Sequence, residues 1–279
     1  MTAVAHLNAL YSAARIILWV EDPITRDYLT RVWGDPPEIA FLISGGNASI
    51  SPTVQAAERE GIGHVFGLVD RDFGRTNMAS WNNPAGPRLF YLPRHEVENY
   101  ALDASAIEGC GLNNRGRSVA DVDTELSRLA ALQPIWLACR RVLTEIRRAV
   151  LDNYPAHPTT VAMPTVAAAE QHIVGSPWFA QLPATAHQWT QPGAVLAALQ
   201  AAETGYNADL ASGNWRVEFS GKEIFRRVRD YVYQPPQNPG TPDSDFAKAI
   251  GEWQQANNQV PADLAQLRSA LRARVGLSP

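Results

Sequence analysis

Cysteine is nearly absent: Cys110 and Cys139 stand alone, and neither belongs to a CxxC pair or a Cys/His ligand spacing. That scarcity excludes a disulfide framework and a structural zinc site. Lysine is as rare, with only Lys222 and Lys248, so no side chain before residue 222 carries an ammonium group. No apolar run reaches the ~20 residues of a membrane span; the run from Ile16 to Val20 is far shorter. Residues 1–10 lack the basic start and long apolar stretch of a signal peptide, so a cytoplasmic protein without membrane contact is expected. Net positive charge is missing too. At a formal charge of −4, the chain does not hold nucleic acid by a bulk field, and any such contact has to be local. No GxGxxG follows the first apolar run, and Ser220-Gly221-Lys222-Glu223 lacks the earlier glycine and the Ser/Thr of a phosphate-cradling Walker loop. The chain is therefore not expected to hydrolyse ATP itself.

What is present has globular balance: 46% hydrophobic and 19% charged residues over 279, a length suggesting two domains of about 100–200 residues. The charge is uneven. Residues 1–110 hold 8 Lys+Arg against 13 Asp+Glu and residues 111–279 hold 16 against 15, which directs the search for a cation site to the N-terminal part. That part alternates strand and helix signals. A continuous apolar run over 15–20 suits a strand buried on both faces, and Asp22 then caps a helix opened by Pro23, with Ile24, Tyr28, Leu29 and Val32 as its buried stripe. A second strand over 38–43 leads into a Gly45-Gly46 turn. Ser51-Pro52 repeats the cap-and-proline start for a helix ending near Gly61, with Val54 and Ala57 inward. Strands are expected over 64–69 and 88–92, the direction of the last left open by a loop-like link over 73–87.

Such alternation implies βαβ units, a parallel sheet and right-handed crossovers. Beyond residue 104 the periodicity becomes helical, over 122–131, 135–153, 194–204, 221–233, 243–257 and 261–275. Loops are expected at 154–164, 177–192 and 234–242. The expectation is an α/β protein with a Rossmann-like parallel sheet over 1–104, followed by a mainly helical domain over 105–279 for a partner or substrate.

In open α/β sheets, ligands bind outside the carboxyl ends of the strands. Glu21 follows the first strand and Asp70 the third. With those strands adjacent, Glu21, Asp70 and Asp72 crowd together and cannot all stay ionised without a cation. Magnesium suits such a place, being a hard cation held by one or two carboxylates with waters and phosphate completing its octahedron; manganese is the alternative ion, and one or two ions fit. Extended alternation would put Asp70 and Asp72 on one side with Arg71 turned away. A metal there neutralises phosphate oxygens and lowers the pKa of a water, as phosphodiester hydrolysis requires, with Glu21 as ligand or general base.

Val20-Glu21-Asp22, Gly45-Gly46 and Val69-Asp70-Arg71-Asp72 together resemble the Toprim domain. His95-Glu96-Val97-Glu98-Asn99-Tyr100 is similar to the ExENY segment of Toprim proteins of the abortive-infection and overcoming-lysogenization-defect type, and Phe219-Ser-Gly-Lys-Glu-Ile224 to a block near the end of those chains. The resemblance spans roughly the first 105 residues plus that block. It implies a metal-dependent nuclease of anti-phage defence that cuts DNA or transfer RNA. Glu21, Asp70 and Asp72 would be its metal ligands and, with Glu98, its catalytic residues; Gly45, Gly46, Arg71 and Lys222 would lie along the nucleic acid. It also implies a separate ABC-type ATPase subunit that controls the enzyme, with self-assembly into a homo-oligomer as the alternative restraint. Asp22 departs from the family, standing where glycine is usual.

Plainer readings accompany each feature. Glu21-Asp22 also reads as a capping pair, Glu96 and Glu98 as the exposed first turn of a helix, and His95 as an orienting or surface residue lacking a second histidine at ligand spacing. Gly45-Gly46 is first a turn and second a close approach to phosphate. Arg140, Arg141, Arg147, Arg148 and Arg226, Arg227, Arg229 read as solvated faces or phosphate contacts, Glu145 being placed to pair with Arg141. The eight tryptophans read as packing anchors. Two other functions compete. The run from Ile16 to Pro23 resembles the acidic opening of a receiver domain, with Asp70 as phospho-acceptor, but that family needs a lysine at the end of a later strand and none precedes Lys222. A catalytically silent Toprim-fold binding module is the other.

Overall fold

The computed structural model describes residues 11, 12, 14–149, 163–236 and 241–278. Residues 1–10, the end of the helix expected to reach 153, most of the 154–164 loop and residues 237–240 lie outside the described residues.

Four strands form one parallel sheet, β1 (Ile16–Val20), β2 (Ile39–Ile43), β3 (Val65–Val69) and β4 (Leu89–Tyr91), in the order β2-β1-β3-β4. The direction left open in the sequence is parallel, with Gly67 paired to Leu89 and Val69 to Tyr91. The chain moves one way from β1 to β2 and returns across β1 to β3, so the topological switch lies between β1 and β3. Every residue of β3 is buried, as its apolar run demands of a strand covered on both faces.

Helix α1 (Pro23–Val32) begins as its sequence predicts, the Thr25 N–H donating to Asp22 Oδ1 at 2.9 Å with Pro23 in the first turn. Tyr28, Leu29 and Val32 are buried, whereas Ile24 is only half-buried and Thr25 and Asp27 take the inner positions instead. Helix α2 (Asn47–Arg59) opens four residues before Ser51. Gly46 occupies the cap without a side-chain bond, and Pro52 lies inside the helix, where its ring costs one intrahelical hydrogen bond. Ser44 and Ser49 account for the earlier start, since the Ser49 hydroxyl donates to Gly46 O at 2.9 Å and Ser44 Oγ accepts from the Gly46 N–H at 3.2 Å. Val54 and Ala57 are buried as expected.

Beyond β4 the chain is helical: α3 (Ala104–Gly109), α4 (Val119–Ala130), α5 (Pro134–Ala149), α6 (Val166–Val174), α7 (Ala194–Ser212), α8 (Gly221–Val232), α9 (Pro242–Ala256) and α10 (Ala262–Arg274). Helix α6 falls where no helix is expected from periodicity; Thr165 caps it, accepting from the Ala168 N–H at 3.1 Å. No helix among the described residues is long and apolar enough to cross a membrane.

Contacts divide the chain into one unit of residues 1–123 with 221–279 and another of residues 124–220, which differs from a division at residue 104. In the first unit, α9 packs on α1 so closely that a Cβ on Gly251 would stand 2.9 Å from Tyr28 O and 3.0 Å from Val32 N. The Tyr28 hydroxyl donates to Gln254 Oε1 at 2.7 Å, Gln254 Nε2 donates to Tyr100 O at 3.0 Å, and Trp33 Nε1 donates to Leu264 O at 3.2 Å. The last helices thus complete the core of the sheet's own unit. In the second unit, α7 packs against α5 and α6, with Cys139 and Leu143 buried on α5 and Leu199 on α7.

Candidate metal centre

Adjacency of β1 and β3 sets Glu21 beside Asp70: the Asp70 N–H donates to Glu21 Oε1 at 3.0 Å. Both lie at the carboxyl ends flanking the topological switch, where open α/β sheets bind ligands. Asp22, standing where the Toprim pattern it resembles has glycine, has extended backbone (φ −146°, ψ 171°) that any residue adopts, and it serves as the α1 cap. That departure therefore needs no glycine.

Asp72 reaches the centre by a different route from the expected alternation. Its φ is +47°, and the Gly74 N–H donates to Arg71 O at 2.7 Å, so β3 is followed at once by a turn rather than by extended chain. Asp is among the few residues enriched in this left-handed region. The Asp72 N–H donates to His95 O at 2.9 Å, which ties the turn to the segment after β4.

That segment is no exposed first turn. Glu96 caps a 3-10 turn, Val97–Ala101; its carboxylate accepts from the Asn99 N–H, and its own N–H donates to Asn99 Oδ1 at 2.9 Å. Glu96 and Glu98 are 6% and 2% exposed and His95 1%, so the surface reading of these three residues is corrected. The Val97 N–H donates to Asp70 Oδ1 at 3.0 Å, and the Phe73 ring meets His95 edge-on at 5.1 Å.

Lys222 enters from the first turn of α8. Its N–H donates to Glu96 Oε2 at 2.7 Å, and its ammonium lies 3.0 Å from Asp22 Oδ2 and 3.6 Å from Glu98 Oε1. Gly221 makes this approach possible: a Cβ there would stand 2.6 Å from both Asn99 N and Asn99 Oδ1. The Ser220–Glu223 segment, rejected above as a nucleotide loop, delivers a cation to the carboxylates.

The charges are strongly coupled. Burial pushes Glu21 up to about 7; the Asp70 N–H opposes the rise and the Asp72 charge adds to it. Asp70 is raised well above the usual carboxylate range by burial and then by Glu98, Glu21, Glu96 and Asp72. Glu98 is pushed up to about 8 by burial, against the pull of Lys222. Burial works against the Lys222 charge, but Glu98 and Asp22 outweigh it and hold the ammonium above its ordinary value; Asp22 is lowered, because Lys222 and the Thr25 N–H overcome its own burial. Neither oxygen of Glu98 has a hydrogen-bond partner among the described residues. An arrangement in which burial and mutual repulsion raise three carboxyl groups at once is one that a divalent cation would relieve.

No family model matches this chain, and no curated protein matches it. The Toprim resemblance therefore rests on the quoted motifs.

Glu21, Asp70, Asp72, Glu98 and Lys222 are brought together electrostatically. Gly45 and Gly46 lie just beyond β2, with φ of +79° and +152° and open space where a Cβ would stand; the Ser44 N–H donates to Val20 O at 2.9 Å, which keeps this loop beside the strand end that carries Glu21. Arg71 sits in the turn between the two aspartates. Of the arginine clusters, Arg141 pairs with Glu145 at 3.1 Å, Arg140 stacks on Trp136, and Arg226 and Arg229 both pair with Asp243. Sequence reasoning passed over the burial of His95 and Glu96 and the Asp22–Lys222 pair. The Glu96-x-x-Asn99 spacing, a variant of the capping box, was the one local signal of a folded turn there.

Proposed function

We propose that this chain is a divalent-metal-dependent nuclease of the Toprim kind, acting on phosphodiester bonds of DNA or transfer RNA. The observation that carries the reading is the hydrogen bond from Asp70 N–H to Glu21 Oε1, which makes one acidic centre of two strand ends at the topological switch. The donor set fits a hard cation: half-buried carboxylates at the strand ends, of which Glu21 and Asp70, with the buried Glu98 beside them, are held above their usual range. Glu21, Asp70 and Asp72 would hold magnesium or manganese, which when bound neutralises phosphate oxygens and activates a water.

The chain's own groups supply the rest. Lys222 presents a positive charge beside Glu98 and Asp22, suited to a phosphate oxygen. Glu98, whose carboxyl sits at about 8, can hold or release a proton near neutral pH. Gly45, Gly46 and Arg71 flank the centre as the path of the nucleic acid strand. As with the proteins it resembles, the chain would be an effector of anti-phage defence in the cytoplasm, restrained by an ABC-type ATPase subunit or by homo-oligomerisation.

The test is incubation of the purified protein with duplex DNA, single-stranded DNA and total transfer RNA, with magnesium, with manganese and with EDTA. Cleavage that needs metal and is lost in Glu21→Gln without loss of folding is the expected result. Intact substrates under every condition, including with an ABC-type ATPase partner added where one is identified, would overturn the reading in favour of a silent binding module.

A further inference from the structure

We propose that His95 is a metal ligand, so that Asp72, His95 and Glu96 hold a manganese-class transition ion beside Glu21 and Asp70. The inference deepens the nuclease reading by naming the ion of the same centre, and so rests on it.

One donor atom from each of Asp72, His95 and Glu96 lies within 4.8 Å of the others, and His95 Nε2 stands 3.9 Å from Asp72 Oδ1. Metal bonds to nitrogen and oxygen of about 2.0–2.2 Å separate two ligands of one ion by at most about 4.4 Å. A closure of a few tenths of an ångström completes the set. The backbone that carries the three is held, and the His95 and Glu96 side chains are buried, while the Asp72 side chain is 41% exposed. Asp72 and His95 are joined through the Asp72 N–H to His95 O bond of 2.9 Å, and Glu96 follows His95 directly in the chain. Glu96 is fixed by Asn99 and by the Lys222 N–H at 2.7 Å, and the Phe73 ring packs edge-on against the imidazole. Ligands held by their surroundings before the ion arrives are what a built metal site requires.

A second, independent observation points to a cation in the same centre. Glu98 is 2% exposed, and both its oxygens lack a hydrogen-bond partner among the described residues; Lys222, at 3.6 Å, also serves Asp22. One ammonium shared between two carboxylates leaves the Glu98 oxygens short of hydrogen-bond donors, a cost that a further cation would relieve.

Ligand chemistry then selects the ion. Magnesium prefers oxygen donors and keeps several waters, whereas an imidazole among carboxylates suits first-row transition ions. With two carboxylates and one imidazole, open positions remain for water and phosphate. The Asp72 charge also acts on Glu21 and Asp70.

The experiment uses the full chain loaded with manganese alone and reads pulsed electron paramagnetic resonance for nitrogen-14 modulation from a directly bound imidazole. The wild type should show it, and His95→Gln and His95→Asn should lose it. Since loss of even an outer-shell partner costs about 10–100-fold in affinity, manganese affinity should fall by at least about tenfold in His95→Gln while magnesium affinity changes less than about threefold. Circular dichroism identifies any variant that fails to fold, and the wild-type spectrum decides the matter without a variant. Bound manganese with no nitrogen modulation, modulation that survives in a folded His95 variant, or equal weakening of both metals would overturn the proposal. Nitrogen modulation without cleavage of any substrate would remove the nuclease and leave the site; cleavage without modulation would do the reverse.

Discussion

The ammonium of Lys222 lies 3.0 Å from Asp22 Oδ2, joining residues 200 positions apart in the chain. It also lies 3.6 Å from the buried Glu98 carboxylate. Removing a partner from a buried pair leaves an uncompensated charge, at a cost of ~3–5 kcal/mol. Because Lys222 is 32% exposed, solvent screening lowers that figure. Lys222→Met in EDTA should lose about 1–3 kcal/mol by urea unfolding, and magnesium should restore part of it. An unchanged urea midpoint would mean that the pair contributes nothing.

The pH dependence follows from carboxyls raised in the fold. Glu98 at about 8 and Glu21 at about 7 keep protons that the unfolded chain sheds near the ordinary glutamate value. Their contribution is fully present at low pH and is lost as pH rises through about 7 to 8. In EDTA, the melting temperature should therefore fall between pH 6 and pH 8.5, and Glu98→Gln should reduce the fall. Magnesium, by favouring the ionised carboxylates, should raise the melting temperature more at pH 8.5 than at pH 6. A metal-free protein that gains stability over this range contradicts the assignment.

Gly221 admits no side chain. In Gly221→Ala the new methyl would meet the Asn99 backbone nitrogen and Oδ1, both at 2.6 Å, and would push apart the Glu96–Asn99 box and the Lys222 N–H bond to Glu96. Overpacking of this kind costs about 1–3 kcal/mol. Thermal unfolding should show the loss, and metal affinity by calorimetry should fall with it. Gly205→Ala, where a Cβ has open space within α7, is the control and should be neutral or slightly stabilising.

The sheet should not stand without the end of the chain. Helix α9 lies on α1 with Gly251 at the Tyr28 carbonyl, so a fragment of residues 1–104 exposes the α1 face that α9 covers. Its amide spectrum should be collapsed, and well-dispersed signals would show that the C-terminal helices are dispensable. Within the full chain, Gln254→Leu leaves the Tyr28 hydroxyl and the Tyr100 carbonyl without their partner and should cost about 1–3 kcal/mol in a urea titration.

The sheet was legible because its signals are local. The apolar runs of β1 and β3, the Asp22-Pro23 start of α1 and the acidic residues at the strand ends depend on near neighbours. Helix α2 starts earlier than Ser51-Pro52 predicts because two start signals overlap, and Ser44 and Ser49, on either side of Asn47, prevail. Asp72 was assigned its side by strand alternation, which ends at β3, where the Arg71–Gly74 turn begins.

The amino-acid order by itself determined which residues could form a parallel α/β sheet and that its strand ends are acidic, since periodicity and capping are properties of adjacent residues. Only the tertiary structure decided that Lys222 meets Asp22, that His95 and Glu96 are buried beside Asp72, and that the last helices belong with the sheet. Those outcomes depend on how α8 and α9 dock, and helical periodicity says which face is apolar without saying what covers it.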